Sequence, residues 1–182
     1  MKKVFISLAF VFAVGLIFAE GILFTRSSSR SASNALEFSA VDLNGSAVSS
    51  KDIFKNNKIT MINIWGTFCG PCISEMPELA KLNKANKSKG VEVIGIIIDV
   101  ELDRSGKVNA SQKKTADSII SKTGADYRHI VPSAEMERGF LSGVQAVPTT
   151  IFVDSEGRQI GDAVVGSRSQ SQWQKIIDKL LK

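Results

Sequence analysis

Two cysteines and one histidine are all the soft metal donors this chain has. A structural zinc site takes about four such ligands, so the chain is too poor in them to build one. The same scarcity excludes a disulfide scaffold. A bridge between cysteines three apart closes too short a loop to restrain the unfolded chain much. Excess charge is lacking as well. Lys2, Lys3, Arg26 and Arg30 face only Glu20 in residues 1–35, and the remainder carries 19 basic against 17 acidic residues. A domain so near balance has no electrostatic footprint for nucleic acid. Internal repeats are absent, and 182 residues with 43% hydrophobic content suit one cored domain plus an extension.

Only the N-terminus carries an apolar run longer than a core strand. Lys2 and Lys3 precede an uncharged stretch, Val4 to Ala19, which Glu20 interrupts and Gly21-Ile22-Leu23-Phe24 continues. Residues 1–24 therefore read as a signal anchor or a signal peptide. Ile17-Phe18-Ala19 is a poor small-x-small cleavage site, which favours the uncleaved anchor. Cleavage would instead give a secreted protein. No cysteine follows the run, so lipid attachment there is excluded. The paired lysines place the N-terminus inside and the domain outside the cytoplasmic membrane. Residues 25–35 follow as a polar, serine-rich tether, and 36–182 form the domain.

What is present centres on residues 65–77, Trp-Gly-Thr-Phe-Cys-Gly-Pro-Cys-Ile-Ser-Glu-Met-Pro. An apolar run, Lys58–Trp65, precedes the cysteines, and an amphipathic segment follows them. Strand, Cys-x-x-Cys, helix is the layout of a thiol–disulfide exchange site. The thiolate is the attacking species, and a helix start, with its unpaired N–H groups and positive dipole end, favours that anion. Gly70 and Pro71 fill the two spacer positions, and Pro71 suits a first helical turn because its missing N–H is not needed there. Cys69 is expected at the exposed tip as nucleophile. Cys72, one turn inside, is expected to attack the mixed disulfide and release the reduced substrate.

These residues resemble the thioredoxin superfamily, and the Glu75-Met76-Pro77 ending resembles its membrane-tethered TlpA/ResA branch. Ala146-Val147-Pro148-Thr149 is similar to the family's cis-proline loop, and Leu43-Asn44-Gly45 to its N-terminal hairpin. Pro148 by itself reads as an ordinary trans turn proline; the resemblance implies a cis bond beside the cysteines, with the Val147 backbone pairing an extended substrate. It also implies an α/β, three-layer thioredoxin-like fold: a central mixed sheet flanked by helices, with an N-terminal β-hairpin extension.

Around the site, Trp65 reads as core or shelf packing and Phe68 as an apolar lip. Cytoplasmic thioredoxins carry a buried acid where this chain has Asn63, so the resemblance leaves proton relay to Glu75 or to water. Glu75 itself reads first as a solvated helix-face residue. His129 reads as a surface or strand-end histidine. A copper-carrier relative pairs two cysteines with a distant histidine, but its cysteines are spaced wider.

The expected elements are a hairpin over Phe38–Val48, buried strands at Lys58–Trp65 and Val91–Val100, and a helix from Cys72 to about Ser88, kinked at Pro77. A polar loop at Glu101–Lys114 leads to a helix at Thr115–Lys122. A short strand at Tyr127–Val131 and a helix at Ser133–Ser142 come next. The chain closes with a hairpin of Thr149–Val153 with Ala163–Val165 and a helix at Ser169–Leu181.

The expected function is an extracytoplasmic thiol–disulfide oxidoreductase, reducing disulfides of exported proteins such as apocytochromes c or oxidised repair enzymes. The resemblance implies a monomer recharged by a membrane thiol donor of the CcdA/DsbD type. The dithiol carries the electrons, so neither cofactor nor metal is expected. The alternatives are a disulfide-forming oxidant, a non-redox copper-binding module or a pure interaction domain. A peroxidase is disfavoured because no Thr-x-x-Cys precedes Cys69.

Overall fold

The structure is a computed structural model and describes residues 35–182. The anchor reading for 1–24, and the tether up to residue 34, lie outside the described residues. No helix among the described residues is long and apolar enough to cross a membrane.

The strands are β1 (Ser39–Asp42), β2 (Ala47–Ser49), β3 (Ile59–Trp65), β4 (Val91–Ile97), β5 (Arg128–Val131), β6 (Thr149–Val153) and β7 (Val164–Val165). They form one mixed sheet in the order β2-β1-β5-β4-β3-β6-β7. β3, β4 and β5 run parallel, while β1 and β6 pair antiparallel with their neighbours. Every residue of β3 is buried, which is why its sequence is a nearly unbroken apolar run. Its side chains alternate between two cores. Ile59, Met61 and Trp65 pack on one face with residues of α2 (Gly70–Asn86), α3 (Ala110–Thr123) and α5 (Gln170–Leu180). Ile62 and Ile64 pack on the other with α1 (Ser50–Phe54) and α4 (Ala134–Arg138). The result is the expected three-layer arrangement.

The β1–β2 hairpin turns at Asn44-Gly45, with Gly45 at φ +83°, the left-handed region glycine tolerates. It docks on β5, with Val41 opposite Val131, and turns β5 into an interior strand.

Several boundaries differ from expectation: β4 stops at Ile97 rather than Val100, and three helices shift. α2 starts at Gly70 rather than Cys72 and runs on through Pro77 to Asn86, because Cys69 itself caps it. α3 starts at Ala110, inside the stretch read as loop. The Asn109 side chain accepts hydrogen bonds from the Ser111 and Gln112 N–H groups and so nucleates the turn. The helix expected over 133–142 breaks at Gly139 into α4 and a 3-10 turn, Phe140–Gly143.

Candidate active site

β3 ends at Trp65, and the chain crosses the tip of the sheet in three residues to reach Cys69. Cys69 and Cys72 are joined as a disulfide, with Cα atoms 5.3 Å apart. The Cys72 N–H donates to Cys69 Sγ at 3.2 Å. Sulfur therefore takes the acceptor role that a Ser or Asp oxygen usually fills at a helix N-cap. Cys72 is fully buried and Cys69 is 6% exposed. The tip expected of Cys69 is occupied instead by Phe68, 70% exposed, whose ring forms the apolar lip. Gly70 and Pro71 are exposed in the first turn of α2.

The loop before β6 closes the other side. The Val147–Pro148 bond is cis, and the Val147 carbonyl oxygen lies 3.6 Å from Cys69 Sγ. The resemblance-based expectation for Pro148 thus replaces the trans turn its sequence context suggests.

Glu75 corrects the sequence reading. It is 2% exposed, not solvated. The Arg168 N–H and Trp173 Nε1–H donate to its Oε1 at 2.6 and 2.8 Å, and Asn63 Nδ2 lies 3.4 Å from its Oε2. Burial pushes the carboxyl up from its ordinary value, against the pull of those hydrogen bonds. Cys72 and Glu75 are three apart on α2 and so share one helix face. A buried carboxyl with a raised pKa therefore sits one turn below the inner sulfur.

A sequence profile described as Redoxin matches residues 30–177. The chain belongs to the Redoxin family. It is 26% identical to the thiol-disulfide oxidoreductase ResA of Bacillus anthracis over 178 residues, 98% of this chain and 94% of the relative. The thiol:disulfide interchange protein HelX of Rhodobacter capsulatus is 29% identical over 127 residues, covering 70% and 63% of the two chains. Among solved structures, a thioredoxin-family thiol:disulfide interchange protein from Chlorobium tepidum TLS superposes with a TM-score of 0.66 at 25% identity, over 82% of this chain and 96% of that one. A DsbF homologue from Corynebacterium diphtheriae gives 0.63 at 26% identity, over 81% and 86%. With this kinship and a Cys69–Cys72 pair bridged at a helix start, the protein is a thioredoxin-like thiol–disulfide oxidoreductase.

Within this Redoxin-family frame, two further contacts brace the site. Thr67, two residues before Cys69, donates its N–H to both carboxylate oxygens of Asp99, at 2.9 and 3.0 Å, and its hydroxyl to Oδ2. Asp99 follows β4, so it ties the cysteine loop to the neighbouring strand. Sequence reading missed it; an acid near the end of the buried apolar run that follows the Cys-x-x-Cys helix was the available signal.

Trp65 is fully buried, the core reading rather than an open shelf. Its Nε1–H donates to His129 Nδ1 at 3.2 Å, while His129 Nε2 lies 2.9 Å from the Ala125 carbonyl. A carbonyl only accepts, so Nε2 carries the proton and Nδ1 is the acceptor. His129 is 5% exposed, which overturns its reading as a surface or strand-end residue. The β1–β2 hairpin makes β5 an interior strand, and Trp65, Tyr127 and the Ala125 carbonyl enclose the ring. Burial lowers its pKa to about 4, against the Ala125 contact, which favours the charged form. With both nitrogens spent inside the core, His129 is not a donor turned toward the sulfurs. The Trp65–His129 contact passes over Gly95, where a Cβ would lie 2.5 Å from His129 Nδ1 and 2.9 Å from Trp65 Nε1.

Proposed function

We propose that the protein is an extracytoplasmic reductase of disulfides in exported proteins, held at the membrane by residues 1–24. The observation that carries this reading is the environment of the two sulfurs. Cys69 Sγ receives one backbone N–H from α2, and the titratable side chain one turn below Cys72 is an acid with a raised pKa. Among the hydrogen-bond partners described for Cys69 no cationic side chain appears. The Cys69 thiolate is stabilised by a helix start and little else, so the reduced pair is not held strongly and gives up its electrons readily.

The reduced protein attacks with the Cys69 thiolate. One client sulfur bonds to Cys69 Sγ, and the other leaves as thiolate and takes a proton. The ionised Glu75 carboxylate takes the proton of the Cys72 thiol, the Cys72 thiolate displaces the client's remaining sulfur from Cys69, and that sulfur leaves as thiolate and takes the proton back. The client gains two electrons and two protons, and the protein is left as the Cys69–Cys72 disulfide. Val147, beside cis-Pro148, aligns the client backbone during the attack. Trp65, Phe68, Gly70 and Pro71 shape the approach. A membrane thiol carrier of the CcdA/DsbD type returns the electrons. Clients such as apocytochromes c or oxidised repair enzymes fit an exported reductase.

Equilibration of the Cys69–Cys72 pair against glutathione mixtures tests the direction. A potential below about −200 mV is expected, in the range of reducing dithiols. A value near about −120 mV, typical of a strong oxidant, would make the protein a disulfide-forming enzyme instead.

A further inference from the structure

Glu75 has to be ionised to take the Cys72 proton, yet it is buried, and burial favours its protonated form. Its hydrogen-bond partners are neutral donors: the Arg168 N–H and Trp173 Nε1–H on Oε1, and Asn63 Nδ2 beside Oε2. A full positive charge comes only from a side chain, and the Arg168 side chain carries one.

Arg168 lies in the strap between β7 and α5. The Gly166 N–H donates to the Pro148 carbonyl at 2.8 Å and fixes this strap to the cis-proline loop. Two residues on, the Arg168 N–H meets Glu75. The guanidinium folds back over the same strap. Nη1–H donates to the Ser167 carbonyl at 2.8 Å, and Nη2–H to the Val165 carbonyl at 3.3 Å. Gly166, at φ +86°, leaves room for it, since a Cβ there would lie 3.4 Å from Nη1. A guanidinium stays charged throughout the working pH range, and both of these acceptors are carbonyls, so no acid neutralises it there. Burial pushes the Glu75 carboxyl up, the three hydrogen bonds pull it down, and the Arg168 charge pulls it down further.

The other groups packed around Glu75 cannot replace that charge. Cys72 lies one turn before it on α2, and Glu78 one turn after, paired with Lys81 at 2.9 Å. β3 and β6 bring Asn63 and Thr150, which do not titrate. Tyr127, just before β5, is a neutral phenol whose hydroxyl burial, and then the Glu75 charge, push up.

We propose that Arg168 is a positioning residue for the second half of the exchange: its guanidinium, pinned on the strap, keeps Glu75 able to ionise and so to accept the Cys72 proton. This rests on the reading of the protein as a disulfide reductase with Glu75 as proton acceptor. It adds the residue that sets the pH range of the resolving step.

The test uses the full chain, reduced, in detergent, mixed with an excess of the symmetric disulfide of thionitrobenzoate. The Cys69 thiolate attacks it and releases one thionitrobenzoate. Cys72 then gives its proton to Glu75 and bonds to Cys69 Sγ; the bond from Cys69 to the reagent breaks, and the second thionitrobenzoate leaves as thiolate with the electron pair. The releases give two absorbance phases, and the second is intramolecular, so it does not depend on reagent concentration. Arg168→Met keeps the backbone N–H on Glu75 and removes the charge. It should move the rise of the second phase to higher pH, slow that phase about threefold to tenfold at neutral pH, and slow it more than the first phase. At alkaline pH, where the Cys72 thiol ionises unaided, variant and wild type should converge. Arg168→Lys should recover most of the wild-type profile, and Glu75→Gln should abolish the rise that Arg168→Met displaces. A wild-type profile in Arg168→Met, or equal slowing at every pH, would overturn the assignment and leave the reductase standing. Arg168→Lys as slow as Arg168→Met would trace the effect to the carbonyl contacts and overturn it too. Slowing confined to the first phase would assign the cation to Cys69 and refute the proposal. A wild-type profile in Glu75→Gln would remove Glu75 as proton acceptor, and the role of Arg168 with it. Release of a single thionitrobenzoate by the wild type would remove Cys72 as resolving thiol, and with it both the reductase reading and the proposal.

Discussion

Acid should weaken this protein through one buried imidazole. His129 holds its pKa at about 4, because burial disfavours the cation and because Nδ1 must stay bare to accept from Trp65. In the unfolded chain the same group titrates near the ordinary histidine value of 6.5. The folded pKa is depressed, so the contribution to stability is fully present above 6.5 and is lost as pH falls toward 4. Over that window the unfolded state binds one more proton than the native state. The gap of two to three pKa units is worth about 3 kcal/mol at about 1.4 kcal/mol per unit. Around the ring stand Tyr127, tilted against it at 4.6 Å, and Trp65, and neither titrates in this range. Glu75, whose pKa burial raises, works in the opposite sense as pH falls. A comparison with His129→Gln separates the two. The amide can still donate to Ala125 but cannot take up a proton. Urea unfolding of the oxidised protein at pH 7, 5.5 and 4 should show the wild type losing about 3 kcal/mol more than His129→Gln across the series. The variant starts lower at pH 7, since Trp65 loses its acceptor. Parallel stability curves for the two proteins would refute the assignment of a buried neutral His129.

Three other substitutions probe the same layer. Gly95→Ala drives a methyl into the Trp65–His129 contact and should cost about 2–4 kcal/mol, from overpacking and from an unpaired buried donor; a variant within experimental error of wild type in urea would contradict that packing. Asp99→Ala frees Thr67 and should slow disulfide exchange and alter the alkylation rate of reduced Cys69, with Asp99→Asn recovering most of both; unchanged rates in the alanine variant would show that the clamp does not brace the cysteine loop. Asn63→Asp sets a second carboxyl against Glu75, so the pair should share a proton and add an ionisation to the pH–rate profile, with stability falling as pH rises through the raised pKa; superimposable profiles would uncouple position 63 from the cysteines.

Much of the fold could be read without coordinates, because local signals agreed with one another. The all-apolar β3 run, the Asn44-Gly45 turn and the Cys-Gly-Pro-Cys helix start each specify an element and its direction. Glu75 and His129 were misread because their burial comes from partners far along the chain. Trp173 and Arg168 reach Glu75 from 98 and 93 residues away, and Trp65 reaches His129 from 64. One local clue was available for Glu75. The buried stripe of α2 runs Cys72, Glu75, Met76, Leu79, and an acid at i+3 of that stripe faces inward. A stripe started at Ile73, which is only half-buried, misses it by one position. For His129 the clue was topological: a hairpin at the N-terminus needs a strand to pair with, and β5 is that strand.

The buried polar groups along the sheet share one property. Across the sheet, Asn63, Gly95 and His129 lie in register on β3, β4 and β5. Asn63 reaches Glu75 on one side, while Trp65 leans over Gly95 to His129 on the other. Burial pushes Glu75 toward its protonated form and His129 toward its neutral form, so it drives charge of either sign out of this layer. Reduction of the disulfide adds negative charge at the start of α2. A protonated histidine there would stabilise that charge and make the pair a stronger oxidant. A neutral His129, fixed as acceptor by Trp65 and as donor by Ala125, does not. On the reductase reading proposed above, the stabilisation left to the Cys69 thiolate is the start of α2 and one N–H, the electrostatic setting of a dithiol that donates electrons rather than one that collects them.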